Sequence, residues 1–255
     1  MVTRRQLLKA GFAGSLGMIV PLRGRTGLAA AYVPPSSSRT RVVQAPRFYQ
    51  SAGLAMFQQP LRGVGPGGIP VVAPDTGPAP VTGALHYTID INQYTDSLHP
   101  NLGLTTLWGY HPAVALGGGY QPQRHLGGII VAHSGVPIQL TFRNNLPPTH
   151  ILPVDTTIMG ADGAQNRTSV HLHGGFVPWI SDGGPFSWWA PDGSHGPSFL
   201  NNQVLNPGAA LNEAEYYYPL AQSARLGWYH DHTYGITRIN AYGGIASGLI
   251  IRDIF

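Results

Sequence analysis

The sequence predicts an all-β protein, a sandwich of short strands, and three observations carry that reading. Gly (34) and Pro (23) are abundant while only 10% of residues are charged, a balance that suits many turns joined by short strands rather than long helices. Apolar and polar residues alternate in several separate segments, the period of a half-buried strand. No alternation of strand with helix is visible, which argues against a parallel α/β sheet and for an antiparallel sandwich. At 255 residues and 43% hydrophobic content the chain can bury a sizeable core, as one large β domain or two small ones.

The chain opens with a leader. Arg4-Arg5 precede an uncharged run over residues 10–22, and Ala29-Ala30-Ala31 offers an A-x-A cleavage site, so residues 1–31 resemble a twin-arginine export signal. The apolar run is too short to span a bilayer in comfort, which disfavours a stable membrane anchor. The expectation is export to the periplasm or the exterior of a bacterium. Residues 32–83 are rich in Pro, Gly and Ser with little periodicity and read as an irregular N-terminal arm. Residues 84–255 read as the strand-rich domain.

Regular structure is predicted to begin where Leu85, Tyr87, Ile89 and Ile91 alternate with polar neighbours. Strands follow over residues 105–110, 128–132 and 136–143. The last of these has Ile138, Leu140 and Phe142 alternating with Gln139, Thr141 and Arg143, and it is closed by the turn residues Asn144-Asn145-Leu146-Pro147-Pro148. Later strands are expected over 168–173, 213–219, 226–230 and 244–252, with one short helix between Thr233 and Tyr242. The stretch 177–206 holds Phe186, Trp179, Trp188 and Trp189 among Gly, Pro and Asp and reads as a long loop packed by aromatics.

The formal charge of +4 and the pI near 9.5 hint at a nucleic-acid partner until the charges are located. Arg4, Arg5, Lys9, Arg23 and Arg25 fall in the leader, where no acid stands, and the remainder is close to neutral. Nucleic-acid binding therefore loses its electrostatic case. No cysteine occurs, which excludes disulfides, thiolate zinc sites, iron–sulfur clusters, cysteine nucleophiles and the thiolate of a blue-copper site.

Two motifs carry the chemistry: His171-Leu172-His173-Gly174 and His230-Asp231-His232. Each lies in a predicted strand, where side chains two apart share a face. Two such strands side by side would converge four imidazoles and turn Leu172 and Asp231 the other way, a geometry for one or more transition-metal ions. Copper suits imidazole and stands highest in the divalent affinity order. Three imidazoles and a water also make a hydrolytic zinc site, so zinc stays open at this point.

These motifs, with Thr106-Leu107-Trp108-Gly109-Tyr110, Asn144-Asn145-Leu146-Pro147, Gly227-Trp228-Tyr229 and Gly235-Ile236-Thr237-Arg238, resemble the first domain of multicopper oxidases. That is the laccase and bilirubin-oxidase group, and the bacterial spore-coat laccase type most of all. The resemblance runs from about Leu85 to Asp253 and implies a cupredoxin-like Greek-key β-sandwich. It also implies a role for each histidine in a trinuclear copper cluster: His171 on the type 2 copper, His173 and His230 on one type 3 copper, His232 on the other. Asp182, nine residues past His173 and followed by Gly183, matches an acid that hydrogen-bonds cluster water and helps deliver protons to O2.

A complete enzyme of that group has a later domain with four more cluster histidines and a His-Cys-His strand, and this sequence contains neither. The remaining histidines, His86, His99, His111, His125, His133, His150 and His195, do not repeat the His-x-His spacing and read as surface or hydrogen-bonded residues. The resemblance therefore implies the N-terminal half-site of a copper oxidoreductase, in a truncated or split form inactive alone. Copper, O2 and a second chain bearing the C-terminal domain would be its partners. An exported copper-storage module without turnover uses the same ligands and is the alternative.

Overall fold

The computed structural model describes residues 53–253. The leader and the first part of the arm lie outside the described residues. Two four-stranded sheets face each other. One has the order β2-β1-β4-β6, from β1 (Leu85–Asp96), β2 (Thr105–Pro112), β4 (Ile138–Asn144) and β6 (Glu213–Tyr218). The other has the order β3-β8-β7-β5, from β3 (Ile130–His133), β5 (Val170–His173), β7 (Arg225–Asp231) and β8 (Ala246–Arg252).

The alternation that predicts the strands also builds the core. Tyr87, Ile89 and Ile91 of β1, Ile138, Leu140 and Phe142 of β4, and Ala214, Tyr216 and Tyr218 of β6 point inward against Val170 and Leu172 of β5, Tyr229 of β7 and Leu249 and Ile251 of β8. All are buried, so each sheet shows one face to the core, as aligned sandwiches do. Phe142 lies at the centre, edge-on to Tyr216 with ring centroids 5.5 Å apart and tilted on Tyr110 and Tyr229.

All eight predicted strands are present, but the sandwich is not purely antiparallel. β1 pairs parallel with β4 and β3 pairs parallel with β8. The chain hairpins within a sheet only at β1–β2 and β7–β8; elsewhere it crosses from one sheet to the other, and such crossings allow parallel neighbours that a two-residue turn cannot.

The expected loop over 177–206 contains one turn of 3-10 helix, Trp179–Ser181, and a short helix α1, Asn201–Leu205. Trp189 is buried there and bonds Thr168 through both of its backbone groups at 2.9 Å. The expected helix after Thr233 is α2, Thr237–Gly243, ended by Gly244 in the left-handed conformation (φ 118°). Asn240 of α2 is buried, takes a 3.0 Å bond with His150 Nε2 and donates to the carbonyl of Arg167 at 3.1 Å, tying the helix to the segment that leads into β5.

Within 53–83 the backbone is largely irregular, but Val71 and Val72 are buried and bridge Ile129 and Ala115. Among the described residues no helix is long and apolar enough to cross a membrane.

Candidate metal centre

β5 and β7 are antiparallel neighbours, and their register sets His171 opposite His230 and His173 opposite Trp228. Period-two alternation puts these four side chains on the outer face of the sheet, while Val170, Leu172, Tyr229 and Asp231 turn inward. His232, one residue beyond β7, joins them because its N–H donates to Ser169 O at 2.8 Å and carries the pairing one step further. The four imidazoles form one cluster. Ring centroids lie 5.0 Å apart for His171 and His232, 5.5 Å for His173 and His230, and 5.6 Å for His171 and His230.

The hydrogen bonds decide which nitrogens are free. His171 Nδ1 lies 2.6 Å from the carbonyl oxygen of Asp182, and His230 Nδ1 lies 2.7 Å from that of Asp231. A carbonyl only accepts, so each Nδ1 carries a hydrogen and each Nε2 of the neutral ring presents its lone pair. A backbone carbonyl holding the far N–H of an imidazole is the usual support of a metal ligand. His230 Nε2 in turn faces His173 Nδ1 at 3.3 Å. Two nitrogens about 2.0 Å from one ion at a tetrahedral angle stand about this far apart. His232 Nδ1 is buried with no partner. The donor set therefore fits a nitrogen-loving ion such as copper. Among the described residues no group of three or more His, Asp or Glu side chains closes around a single point.

Electrostatics agree with that role. Burial pushes the His230 imidazole below its ordinary value; its bond to the Asp231 carbonyl opposes this, and the three neighbouring imidazoles add to it. The ring thus stays in the neutral form that binds metal. Trp228 stacks on His230 with centroids 4.2 Å apart and on His173 at 5.1 Å, fixing both ring planes. It also lines an open apolar groove of about 390 Å³ with Leu126, Leu226, Ala246 and Gly248.

Asp182 is placed beside His171, with Oδ1 3.6 Å from Nδ1 and its carboxylate half exposed. The contact that orients the imidazole comes from its carbonyl, a role its identity as an acid does not reveal. Gly183 makes this approach possible: it sits at φ 67°, and a Cβ there would lie 1.8 Å from Val170 O. Trp228 and Asp231 also adjoin the cluster, the first by stacking on its rings and the second by bonding the residues that flank it. Trp228 was legible, since it precedes His230 by two on the same strand. Asp231 was legible as an anomaly, an acid on the buried side of its strand. Its carboxylate is raised by burial, opposed by bonds from the Thr233 hydroxyl and amide, Ser169 N–H and the Thr168 hydroxyl.

The other histidines stand elsewhere. His86 bonds Thr141 Oγ1 at 2.8 Å and lies 3.1 Å from Asp75. His150 is held by Asn240 and packs tilted against Trp108, with ring centroids 4.2 Å apart. His99 and His195 bond backbone carbonyls, and exposed His133 makes only a 3.4 Å contact with Asp253 O. Burial lowers His111 and His125, whose Nδ1 atoms are buried without partners.

No family model matches the chain. Against curated proteins it is 34% identical over 172 residues to the laccase of Bacillus subtilis strain 168, a match covering 66% of this chain and 29% of the relative. It is 35% identical over 172 residues to the multicopper oxidase LPR1 homolog 1 of Oryza sativa subsp. japonica, covering 66% and 26%. The chain is a homologue of the multicopper oxidases. The match to a laccase of Haloferax volcanii, 34% identical over 174 residues, covers 64% of this chain and 26% of that relative. The chain thus spans a little over a quarter of the length of these multicopper oxidases.

Among solved structures the multi-copper oxidase from Pediococcus acidilactici superposes with a TM-score of 0.50 at 19% identity, over 82% of this chain and 33% of that one. That likeness shows the fold, a cupredoxin-like β-sandwich.

Proposed function

We propose that this chain supplies four imidazoles of a trinuclear copper centre in an oxidase that couples substrate oxidation to reduction of O2 to water. The observation that carries the reading is His173 Nδ1 facing His230 Nε2 at 3.3 Å while the far nitrogen of His230 is locked as a donor. Carried over by motif, His171 serves the type 2 copper, His173 and His230 share one type 3 copper, and His232 serves the other. Copper bound there supplies the electron-transfer chemistry. The chain's own residues hold and orient it: Asp182 O and Asp231 O keep Nε2 of His171 and His230 free, and Trp228 keeps the rings from turning. The half-exposed Asp182 carboxylate, beside His171, would hold and deliver protons for O2 reduction were copper bound there.

Two imidazoles leave an ion's other positions open, so this reading calls for further nitrogen ligands from a partner domain or chain. The sequence has no cysteine, so a type 1 copper thiolate must come from the same partner. Export through the twin-arginine signal at Arg4-Arg5 is part of the proposal.

Copper content and absorption spectra of the purified chain test it. The chain should bind copper without the intense blue colour of a Cu–thiolate bond, and replacing His171 and His230 together by Ala should remove most of that copper. Unchanged copper in the double variant refutes the site. In a complex that completes the centre, Asp182→Asn should slow O2 consumption while copper loading holds, since a proton donor is not itself a ligand.

A further inference from the structure

We infer that Asp231 is a positioning residue for the metal centre: its buried carboxylate grips the entry to β5 and the residue after His232, and so fixes His232 against His171. The role in metal binding rests on the copper reading above; the clamp itself rests on geometry.

The four histidines are not held alike. His171, His173 and His230 lie within the β5–β7 register, which pairs His171 with His230 and His173 with Trp228. His232 lies outside β7, and its backbone tie is the single bond from its N–H to Ser169 O at 2.8 Å. What continues the coupling of the two strands past their ends is a side chain. Asp231, 0% exposed, accepts from Thr168 Oγ1 at 2.8 Å and Ser169 N–H at 3.0 Å on the β5 side. On its own side it accepts from Thr233 N–H at 3.0 Å and Thr233 Oγ1 at 2.7 Å. One carboxylate thus binds the residues just before His171 and just after His232, whose ring centroids are 5.0 Å apart. Thr168, Ser169 and Thr233 are themselves buried, so none of these donors has water as an alternative.

Asp231→Asn is the discriminating variant. Three of the four bonds converge on Oδ1 and survive in an amide turned the same way, whereas Thr233 N–H, now bonded to Oδ2, would meet an amide NH2. The segment after His232 should therefore loosen while the strands keep their ladder. Amide hydrogen exchange on the copper-free chain reads this directly. His232 and Thr233 should exchange about tenfold faster or more in the variant, with Tyr229 and His230 unchanged.

Copper titration gives the second reading, in two backgrounds. With His173 and His230 both replaced by Ala, Asp231→Asn should weaken binding about tenfold or more, the usual size of a lost supporting contact. With His171 and His232 replaced instead, it should change little. Uniform loss of protection along β7, no change at His232 and Thr233, or equal weakening in both backgrounds would overturn the proposal. If Asp231→Asn does not fold, Thr233→Val should give the same selective pattern and Thr233→Ser should restore it; wild-type behaviour of Thr233→Val would count against the clamp. Failure of the unsubstituted chain to bind copper would sink the copper reading, while the exchange experiment would still decide this one.

Discussion

At the scale of single residues, the site is organised more by backbone carbonyls than by acids. Asp182 O, brought against His171 by Gly183, is the clearest case. Gly183→Ala places a Cβ into Val170 O and asks Ala to adopt a left-handed conformation, so it should cost about 1–3 kcal/mol or more of stability. It should also weaken copper binding through the displaced carbonyl. Urea unfolding and a copper titration check both, and a variant as stable as the parent would show that the loop has another route past β5. Away from the centre, Asp96 is fully buried and bonded by Arg62, by Arg124 at 3.1 Å and by the His125 amide at 3.0 Å. Burial alone would raise its carboxyl, but these donors outweigh burial and hold it below its ordinary value. A carboxyl depressed in the folded state stabilises fully above its unfolded pKa, about 4, and loses that contribution as pH falls through the lower folded value. Asp96→Asn should therefore cost about 1–3 kcal/mol near neutral pH, with the deficit shrinking below about pH 4. Thermal unfolding of both proteins across pH 3–7 measures it, and a deficit that does not depend on pH would refute the charged role.

At the scale of elements, the alternation of Ile138, Leu140 and Phe142 against Gln139, Thr141 and Arg143 was enough to find β4, and the two His-x-His motifs were enough to place four imidazoles on one face. Alternation reports which face a residue takes and says nothing about which strand lies beside it. The parallel pairs β1–β4 and β3–β8 were therefore invisible. So was the treatment of β6, an edge strand in its sheet. Its free backbone edge is met by side chains from α1: Asn201 Nδ2 donates to Glu215 O at 2.9 Å, Asn202 Nδ2 donates to Glu213 O at 2.8 Å, and Asn202 Oδ1 accepts from Glu215 N–H at 3.0 Å. Two asparagines on a short helix carry no sequence signal of that kind, because their partners are ten or more residues away. Replacing both by Ala should cost about 2–3 kcal/mol, from about 1 kcal/mol per lost bond. It should also bare an edge that can pair with another chain. Chemical denaturation and light scattering at raised concentration read the two effects; unchanged stability would mean water replaces the asparagines without loss.

At the scale of the whole molecule, the charge distribution and the metal site point to one order of events. The basic excess lies in residues 1–31, while the rest of the chain is near neutral, so under the proposed export the positive charge leaves with the signal segment. The four histidines come together only when β5 and β7 have paired, since the two motifs lie 57 residues apart in the chain. A site of this kind is best loaded in a folded protein. A twin-arginine route carries folded cargo, and it reads the guanidinium pair rather than charge alone. Replacing Arg4 and Arg5 together by Lys keeps the charge and removes the planar donor geometry. Precursor should then accumulate in the cytoplasm, with little product outside it, as judged by fractionation and immunoblotting against the parent. Because charge is conserved, a generic electrostatic requirement would leave export intact in this variant, and normal export of the double-lysine chain would refute the twin-arginine reading while leaving the metal site untouched.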